Sequence, residues 1–260
     1  MPFTLSHPIA VWPLWKLSQR RLDLPALAVG AAIPDITYFI ALRPVGNIGH
    51  SIPGIFLEGI PSGLLLLLLG RYFLWQPTLA ILPRNISSRL LPANTYKVFS
   101  SITRLFIIVL SVALGALSHI VWDSFTHKTG WGVQKIALLS ELVFNQPIYK
   151  WLQYGGGLFG LLALLYLVSQ ALSKQAACHR HRHLSKLWQR TAWSVIALIT
   201  IGTVLIAIFP WESSAIAPTY TASQPSVLIV CGIIGLVSGS FLGLCFYAAI
   251  FWTFRTFQNR

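Results

Sequence analysis

Six apolar runs, each close to the length that crosses a bilayer, constrain this chain more than any other feature. A transmembrane helix needs about 20 mainly apolar residues. The runs lie at residues 24–42, 55–75, 102–122, 155–172, 192–210 and 227–250. Only 10% of the chain is Asp, Glu, Lys or Arg, whereas soluble domains average about 25%. We therefore predict an all-α, polytopic integral membrane protein; a soluble protein with a large core is the less favoured alternative.

Three shorter segments complete the predicted organisation. Residues 8–22 are amphipathic and too short to cross a bilayer, so we expect a short N-terminal helix there. Residues 76–101 carry several cations and prolines and are expected to form a basic loop. Residues 135–152 mix apolar side chains with Lys and Glu, and we expect them to lie along the membrane surface as a helix.

The 19 Lys and Arg residues, against six Asp and Glu residues, predict the orientation of the chain. The loop 173–191 is the most cationic, and cationic loops stay in the cytoplasm. Alternating the spans from this loop places 15 cations inside and four outside; the four are Arg43, Lys128, Lys135 and Lys150. We expect the inner loops to contact anionic lipid. No basic-aromatic module is visible, so membrane lipid, and not nucleic acid, is the expected partner.

His119, Asp123 and His127 stand at the end of the third apolar run, each four positions from the next. Four residues advance a helix by about 400°, so the three side chains share one face. Imidazole and carboxylate are ligands of zinc-like metals. An ionisable residue at membrane depth costs on the order of 2.5–3.5 kcal/mol, which a bound metal would offset. The spacing alone leaves open a hydrogen-bonded His–Asp–His cluster without metal.

The predicted topology brings three more polar residues to the same membrane face. His7 opens the short N-terminal segment, Asp35 lies in the outer half of the first run, and His50 lies in the next loop. These residues were not used to set the orientation. Pro34 directly precedes Asp35 and is expected to bend the helix and aim the carboxylate into a cavity.

The tract CHRHRHL at 178–184 is a rival metal-binding segment. Its three histidines alternate with arginines, whose charge repels a divalent cation, and we expect a solvated loop that faces lipid. Cys178, Cys231 and Cys245 have no CxxC spacing, so we predict neither a disulfide framework nor a thiolate metal site.

Four motifs carry a resemblance to a known family: MPFTLSHP, AVGAAIPDITYF, HSIPG and GALSHIVWDSFTH. They resemble a family of uncharacterised bacterial multi-pass membrane proteins that open with the same heptapeptide, MPFTLSH. More distantly, about the first 130 residues are similar to inner-membrane metal-dependent hydrolases and to zinc-dependent phospholipase C, whose fold is all-helical. The resemblance implies a bacterial inner-membrane location. It also implies a phospholipase C-like helical metal-site core within residues 1–134, with residues 135–260 supplying further transmembrane helices.

Carried onto this sequence, the resemblance implies six ligands for one or two divalent ions, with zinc expected. The six are His7, Asp35, His50, His119, Asp123 and His127. The phospholipase pattern continues with a further His and Glu. No His follows His127 before the cytoplasmic tract, so a complete three-metal site is not expected.

These features predict a membrane-bound metal-dependent hydrolase that acts on a phosphoester or lipid at the extracytoplasmic face. Asp35 or Asp123 is expected to bridge metals or accept a proton, and Arg43 and Lys128 to bind an anionic headgroup. A transporter or a partner-binding membrane component is the alternative. It is less favoured because the last three apolar runs contain no acid or histidine.

Overall fold

The structure, a computed structural model, describes residues 4–45, 48–90, 98, 100–178, 184–209 and 225–258. Within these residues, six helical segments are long and apolar enough to cross a membrane. They are Leu24–Ala41, Ile52–Ile81, Ile102–Lys135, Ile148–Lys174, Lys186–Ile208 and Val227–Arg255, and we call them the first to sixth spans. The prediction of an all-α, polytopic membrane protein is confirmed.

The first span is interrupted at Pro34, as the sequence predicts. A proline within a helix removes one backbone hydrogen bond and displaces the preceding turn. The helix therefore tightens into a 3-10 turn, and Asp35 at its end is fully buried. Within the first span, α2 Leu24–Ala32 is followed by the 3-10 turn Ile33–Asp35 and by α3 Ile36–Ala41.

The expected short N-terminal helix precedes this span. It consists of the 3-10 helix Thr4–Ala10 and α1 Val11–Leu17.

The second span is a series of short helical pieces that include two π-helical turns, a geometry that is frequent at functional sites. After the 3-10 turn Ile48–His50 come α4 Ile52–Gly54, the π-turn Ile55–Gly59, α5 Ile60–Leu68, the π-turn Leu69–Leu74, α6 Trp75–Ile81 and α7 Arg84–Leu90.

Residues 76–81 and 84–90 are helical, so the prediction of a basic loop over 76–101 is wrong for these residues. Pro77 lies within α6, where a proline ordinarily bends or ends a helix. It is accommodated because the Phe73 carbonyl, four residues earlier, accepts a hydrogen bond from Trp252 Nε1 of the sixth span at 2.9 Å. Another helix thus satisfies the carbonyl that the proline leaves, as is usual within membranes. Residues 91–97 and 99 lie outside the described part.

The third span crosses the first at two glycines. It consists of α8 Ile102–Thr126 and α9 Trp131–Lys135. A Cβ atom added at Gly30 would lie 2.2 Å from the Val112 carbonyl oxygen, and one added at Gly115 would lie 2.3 Å from the Leu27 carbonyl oxygen. Both neighbours are backbone atoms and cannot rotate away. Glycine at these positions thus permits the two backbones to touch.

A buried polar contact joins the same two spans at the end opposite to Asp35. Asp23 caps α2 by accepting a hydrogen bond from the Ala26 N–H at 2.8 Å. Its other carboxylate oxygen accepts from the Arg104 guanidinium, and its own N–H donates to Ser111 Oγ at 2.9 Å. These contacts set the register of α2 against α8.

The segment between the third and fourth spans contains a β-hairpin. The 3-10 turn Ala137–Ser140 leads into β1 Leu142–Val143 and β2 Gln146–Pro147, which pair antiparallel, and α10 Ile148–Lys174 follows. The prediction of a surface helix over 135–152 is wrong. Pro147 disfavours helical geometry in the residue before it, and Phe144 and Asn145 adopt positive φ angles of 49° and 58°.

The last two spans pack closely along their length. They are α11 Lys186–Ile208 and α12 Pro225–Gln258. Added Cβ atoms at Gly235, Gly239 and Gly243 would lie 2.7–3.0 Å from α11 backbone atoms. Small residues at this spacing let helices associate tightly in a membrane. Residues 179–183, the centre of the predicted cationic loop 173–191, lie outside the described residues.

Candidate metal centre

The candidate centre lies where four separate segments of the chain meet. The N-terminal 3-10 helix supplies His7, the broken first span supplies Asp35, the turn before the second span supplies His50, and α8 supplies His119 and Asp123. Four of the five are buried, and His50 is half-buried. The structure thus brings together residues that are up to 116 positions apart.

The close crossing of the first and third spans orients His119. Its Nδ1 lies 2.7 Å from the Ala31 carbonyl oxygen, so Nδ1 carries the proton and donates it. Its Nε2 then presents a lone pair to the other side of the ring. Histidine metal ligands usually donate their second nitrogen to a carbonyl in this way. His119 is fully buried, and its Nε2 has no hydrogen-bond partner among the described residues.

The two carboxylates face this nitrogen. His119 Nε2 lies 3.4 Å from Asp123 Oδ2 and 3.7 Å from Asp35 Oδ1. His50 Nε2 lies 3.1 Å and 3.7 Å from the oxygens of Asp35 and Asp123, respectively. The same two imidazole nitrogens therefore lie close to both carboxylates. The second oxygen of Asp35 accepts a hydrogen bond from the Thr4 hydroxyl.

His7 adds a third imidazole to the group. Its Nε2 lies 3.3 Å from Asp123 Oδ1, and its ring stacks on that of His119 with centroids 4.0 Å apart. The ring of Tyr38 stacks on that of His50, with centroids 5.7 Å apart. These ring contacts help to hold the imidazoles in place.

Two triads of potential ligands result, and His119 belongs to both. One is His7, His119 and Asp123, and the other is Asp35, His50 and His119. Adjacent ligand atoms of a tetrahedral zinc site lie about 3.3 Å apart, since zinc bonds to nitrogen and oxygen are about 2.0–2.2 Å. The nitrogen–oxygen distances of 3.1–3.7 Å are close to this value. The donor types and spacing therefore fit one zinc-like ion.

Comparison of the chain with known protein families identifies its family but no activity. The family described as Domain of unknown function (DUF4184) matches residues 1–249. The chain belongs to this family. No curated protein and no solved structure matches the chain. The prediction that the chain belongs to a family of unknown function is thereby confirmed. The comparisons give no evidence for similarity to hydrolases or to phospholipase C, and both stay predictions.

His127, the third residue of the spaced motif, lies at the edge of the centre in this DUF4184 chain. Its Nδ1 lies 3.5 Å from Asp123 Oδ2 and 3.1 Å from the Asp123 carbonyl oxygen. Its Nε2 lies 3.1 Å from Gln153 Nε2 of α10. Gln153 Oε1 accepts from Lys150 Nζ at 3.0 Å, so the Gln153 amide nitrogen is the donor to His127. His127 thus presents Nδ1–H to Asp123.

The two cations predicted to bind substrate lie away from the carboxylates. Arg43 is half-buried beyond the end of α3, and Lys128 is exposed directly after His127. Among the described residues, neither side chain forms an ion pair with Asp35 or Asp123. Their roles in substrate binding stay predictions. The histidines of the rival tract, residues 179, 181 and 183, lie outside the described part of the chain.

Sequence reasoning did not single out Thr4, the Ala31 carbonyl or Gln153 as parts of the centre. Thr4 falls within the opening heptapeptide, which offered a signal for it. Gln153 lies just before the apolar run 155–172, where a buried amide has no periodic signature. A backbone carbonyl such as that of Ala31 leaves no trace in a sequence at all.

Proposed function

We propose that the protein is a membrane-embedded, metal-dependent hydrolase whose His/Asp cluster binds one divalent ion, with zinc expected. The observation that carries this proposal is the buried His119 Nε2. Its lone pair faces two carboxylates, while its other nitrogen donates to a backbone carbonyl. A buried polar atom without a partner is costly, and a cation at this point would satisfy it.

Electrostatics supports a cation at the same place. Asp35 and Asp123 are both buried and lie near the same imidazole nitrogens. Buried carboxylates require compensating positive charge. Protonated histidines are one source of such charge. A divalent ion neutralises both carboxylates with the imidazoles still neutral.

The ligand set would be Asp35, His50, His119 and Asp123, with His7 beside Asp123. His119 Nε2 has one lone pair, so it can be a ligand of one ion only and cannot serve both triads at once. When bound there, such an ion would supply Lewis-acid chemistry, which lowers the pKa of a water and polarises a phosphoryl or carbonyl oxygen. Asp35 and Asp123 are the carboxylates beside the imidazole nitrogens of this set, and either would be the residue to accept a proton.

A phosphoester or lipid is the proposed substrate, hydrolysed at the extracytoplasmic face of a bacterial inner membrane. His119 and Asp123 of the cluster lie in the last two turns of α8, and the sequence predicts that this end of the helix is at the membrane surface. The charge distribution of the sequence predicts which end faces outward. A transport path receives less support, because the fourth, fifth and sixth spans carry no Asp, Glu or His.

Hydrolysis by purified protein tests this proposal. We expect zinc-loaded wild-type protein in detergent to turn over a member of a phosphoester and phospholipid panel, chelation to abolish turnover and added zinc to restore it. Asp123→Asn should lose activity. Glu141→Gln, which changes an exposed carboxylate after the third span, is the matched control and should keep it. Metal-loaded protein without turnover on the panel, or equal turnover by Asp123→Asn, would contradict the hydrolase proposal.

A further inference from the structure

The segment from α9 to the first turn of α10, residues 131–151, exposes large apolar side chains, and we call it the interfacial loop. Exposed fractions are 89% for Phe144, 70% for Leu142 and 65% for Trp131. Others with at least two-fifths of their surface exposed are Ile136, Leu138, Val143, Trp151. Several large apolar side chains exposed within one short segment indicate contact with another molecule or a membrane.

The loop is held in one conformation, so this exposure is not a consequence of a loose chain. Residues of β1 pair with those of β2 in the register Leu142↔Pro147 and Val143↔Gln146. Trp151 Nε1 donates to the Val143 carbonyl oxygen at 2.8 Å, and the Ile148 N–H donates to the Glu141 carbonyl oxygen at 3.0 Å. Both bonds attach the hairpin to the first turn of α10.

The tip of the hairpin carries a residue that the turn itself disfavours. Phe144 and Asn145 occupy a two-residue turn and both have positive φ, a geometry that strongly prefers Asn and Gly. A bulky residue at positive φ is strained. Phe144 makes a ring contact with Trp151 at 6.5 Å, yet nearly nine-tenths of it is exposed. An aromatic ring in this strained, exposed position is best explained by a contact outside the chain.

We propose that the interfacial loop lies in the headgroup layer of the bilayer, with Phe144 inserted toward the acyl chains. The loop is continuous with membrane-crossing helices on both sides, so it begins and ends at the membrane surface. Its composition fits that layer: Trp131 and Trp151 have amphipathic rings, and Lys135 and Lys150 can keep their charges in the headgroup region. A lipid surface therefore matches both its apolar and its cationic side chains.

This placement has a consequence for the metal centre, which rests on the proposed function. Lys150 of the loop is joined through Gln153 to His127, and His127 contacts Asp123. A loop in the headgroup layer therefore places the edge of the centre close to the same depth. The substrate class that reaches a centre at this depth is an amphiphile with an anionic headgroup that lies in the membrane, in preference to a soluble phosphoester.

Depth-dependent quenching tests the placement without any measurement of activity. Cys178→Ser, Cys231→Ala and Cys245→Ala provide a background for Phe144→Cys, which is labelled with an environment-sensitive fluorophore. The labelled protein is reconstituted in phosphatidylcholine vesicles that contain lipid brominated on the acyl chain. We expect loss of fluorescence at position 144. Thr129→Cys, at an exposed polar residue in the turn between α8 and α9, is the matched control and should lose much less.

Two outcomes would overturn the placement. The first is equal quenching at positions 144 and 129, or none at 144. The second is a disulfide-linked dimer of unlabelled Phe144→Cys protein in membranes together with no quenching at 144, which would assign this surface to a second copy of the chain. Quenching at 144 with no hydrolysis of any substrate would support the loop placement and contradict only the proposed function.

Discussion

His119 shows how the contacts of a single buried residue can orient it as a potential metal ligand. One of its nitrogens is fixed by the Ala31 carbonyl, and the other faces Asp35 and Asp123 in a fully buried position. The backbone contact selects the tautomer, and the tautomer directs the lone pair inward. The potential ligand is therefore oriented before any ion arrives, which lowers the entropy cost of binding.

Gln153 is predicted to support the centre from the fourth span. Its amide orients His127, and His127 contacts Asp123. Removing such an outer partner typically weakens metal affinity by about 10–100-fold. We expect Gln153→Leu to weaken zinc affinity by roughly tenfold, the lower end of that range, because His127 keeps its contact with the Asp123 carbonyl. Competition with a zinc chelator measures the affinity.

The matched control for this prediction is Gln170→Leu, a half-buried amide farther along the same helix. It should leave zinc affinity unchanged. If the two variants bind zinc equally well, Gln153 has no positioning role.

At the residue scale, the sequence predicts the positions of side chains that belong to a local pattern, but it does not predict the groups that they contact. The i, i+4, i+8 spacing predicted that His119 and Asp123 face one direction, and both lie in the cluster. It also predicted His127 there, yet the ring lies at the edge because α8 ends at Thr126. The backbone beyond a helix end no longer follows helical periodicity. Ala31 and Gln153 could not be found, because their contacts depend on helix crossings.

At the scale of elements, the crossing of the first and third spans is the feature on which the centre depends. We expect Gly115→Ala to force these helices apart, since the new methyl group would lie 2.3 Å from the Leu27 carbonyl oxygen. Overpacking of this kind costs about 1–3 kcal/mol. Thermal unfolding in detergent should show a lower Tm, and zinc content should fall because His119 moves away from Ala31.

Gly202→Ala is the control for this substitution. It lies within α11, and an added Cβ atom there meets nothing within 4 Å. Since alanine favours helix over glycine by about 1 kcal/mol, its Tm should be unchanged or higher. An unchanged Tm and zinc content in Gly115→Ala would show that the close crossing does not control the centre.

Elements were predictable where one physical signal dominated. Apolar length predicted the six spans, and Pro34 predicted the break before Asp35. The hairpin at 142–147 was missed because its turn residues, Phe144 and Asn145, lack the glycine that normally indicates such a turn. The sequence does not reveal that residues 76–81 are helical, because the hydrogen bond from Trp252 that accommodates Pro77 comes from a span far away in the sequence.

At the scale of the whole molecule, the distribution of charge predicts which end of the protein faces the cytoplasm. Lys128→Cys, in a background with native cysteines replaced, should react with a membrane-impermeant maleimide in intact cells. In the wild-type chain, Cys178 follows the opposite end of the fourth span and should react only after the membrane is opened. The reverse pattern of labelling would place the centre on the cytoplasmic side.

The central claim is that the His/Asp cluster, and not the histidine tract at 179–183, binds a divalent metal. The direct test is metal content by mass spectrometry for a protein with His179→Asn, His181→Asn and His183→Asn, beside the same protein with His119→Ala added. We predict close to one zinc-like ion per chain in the first protein and nearly none in the second. Equal metal content in both, whether near zero or near one, would contradict the claim.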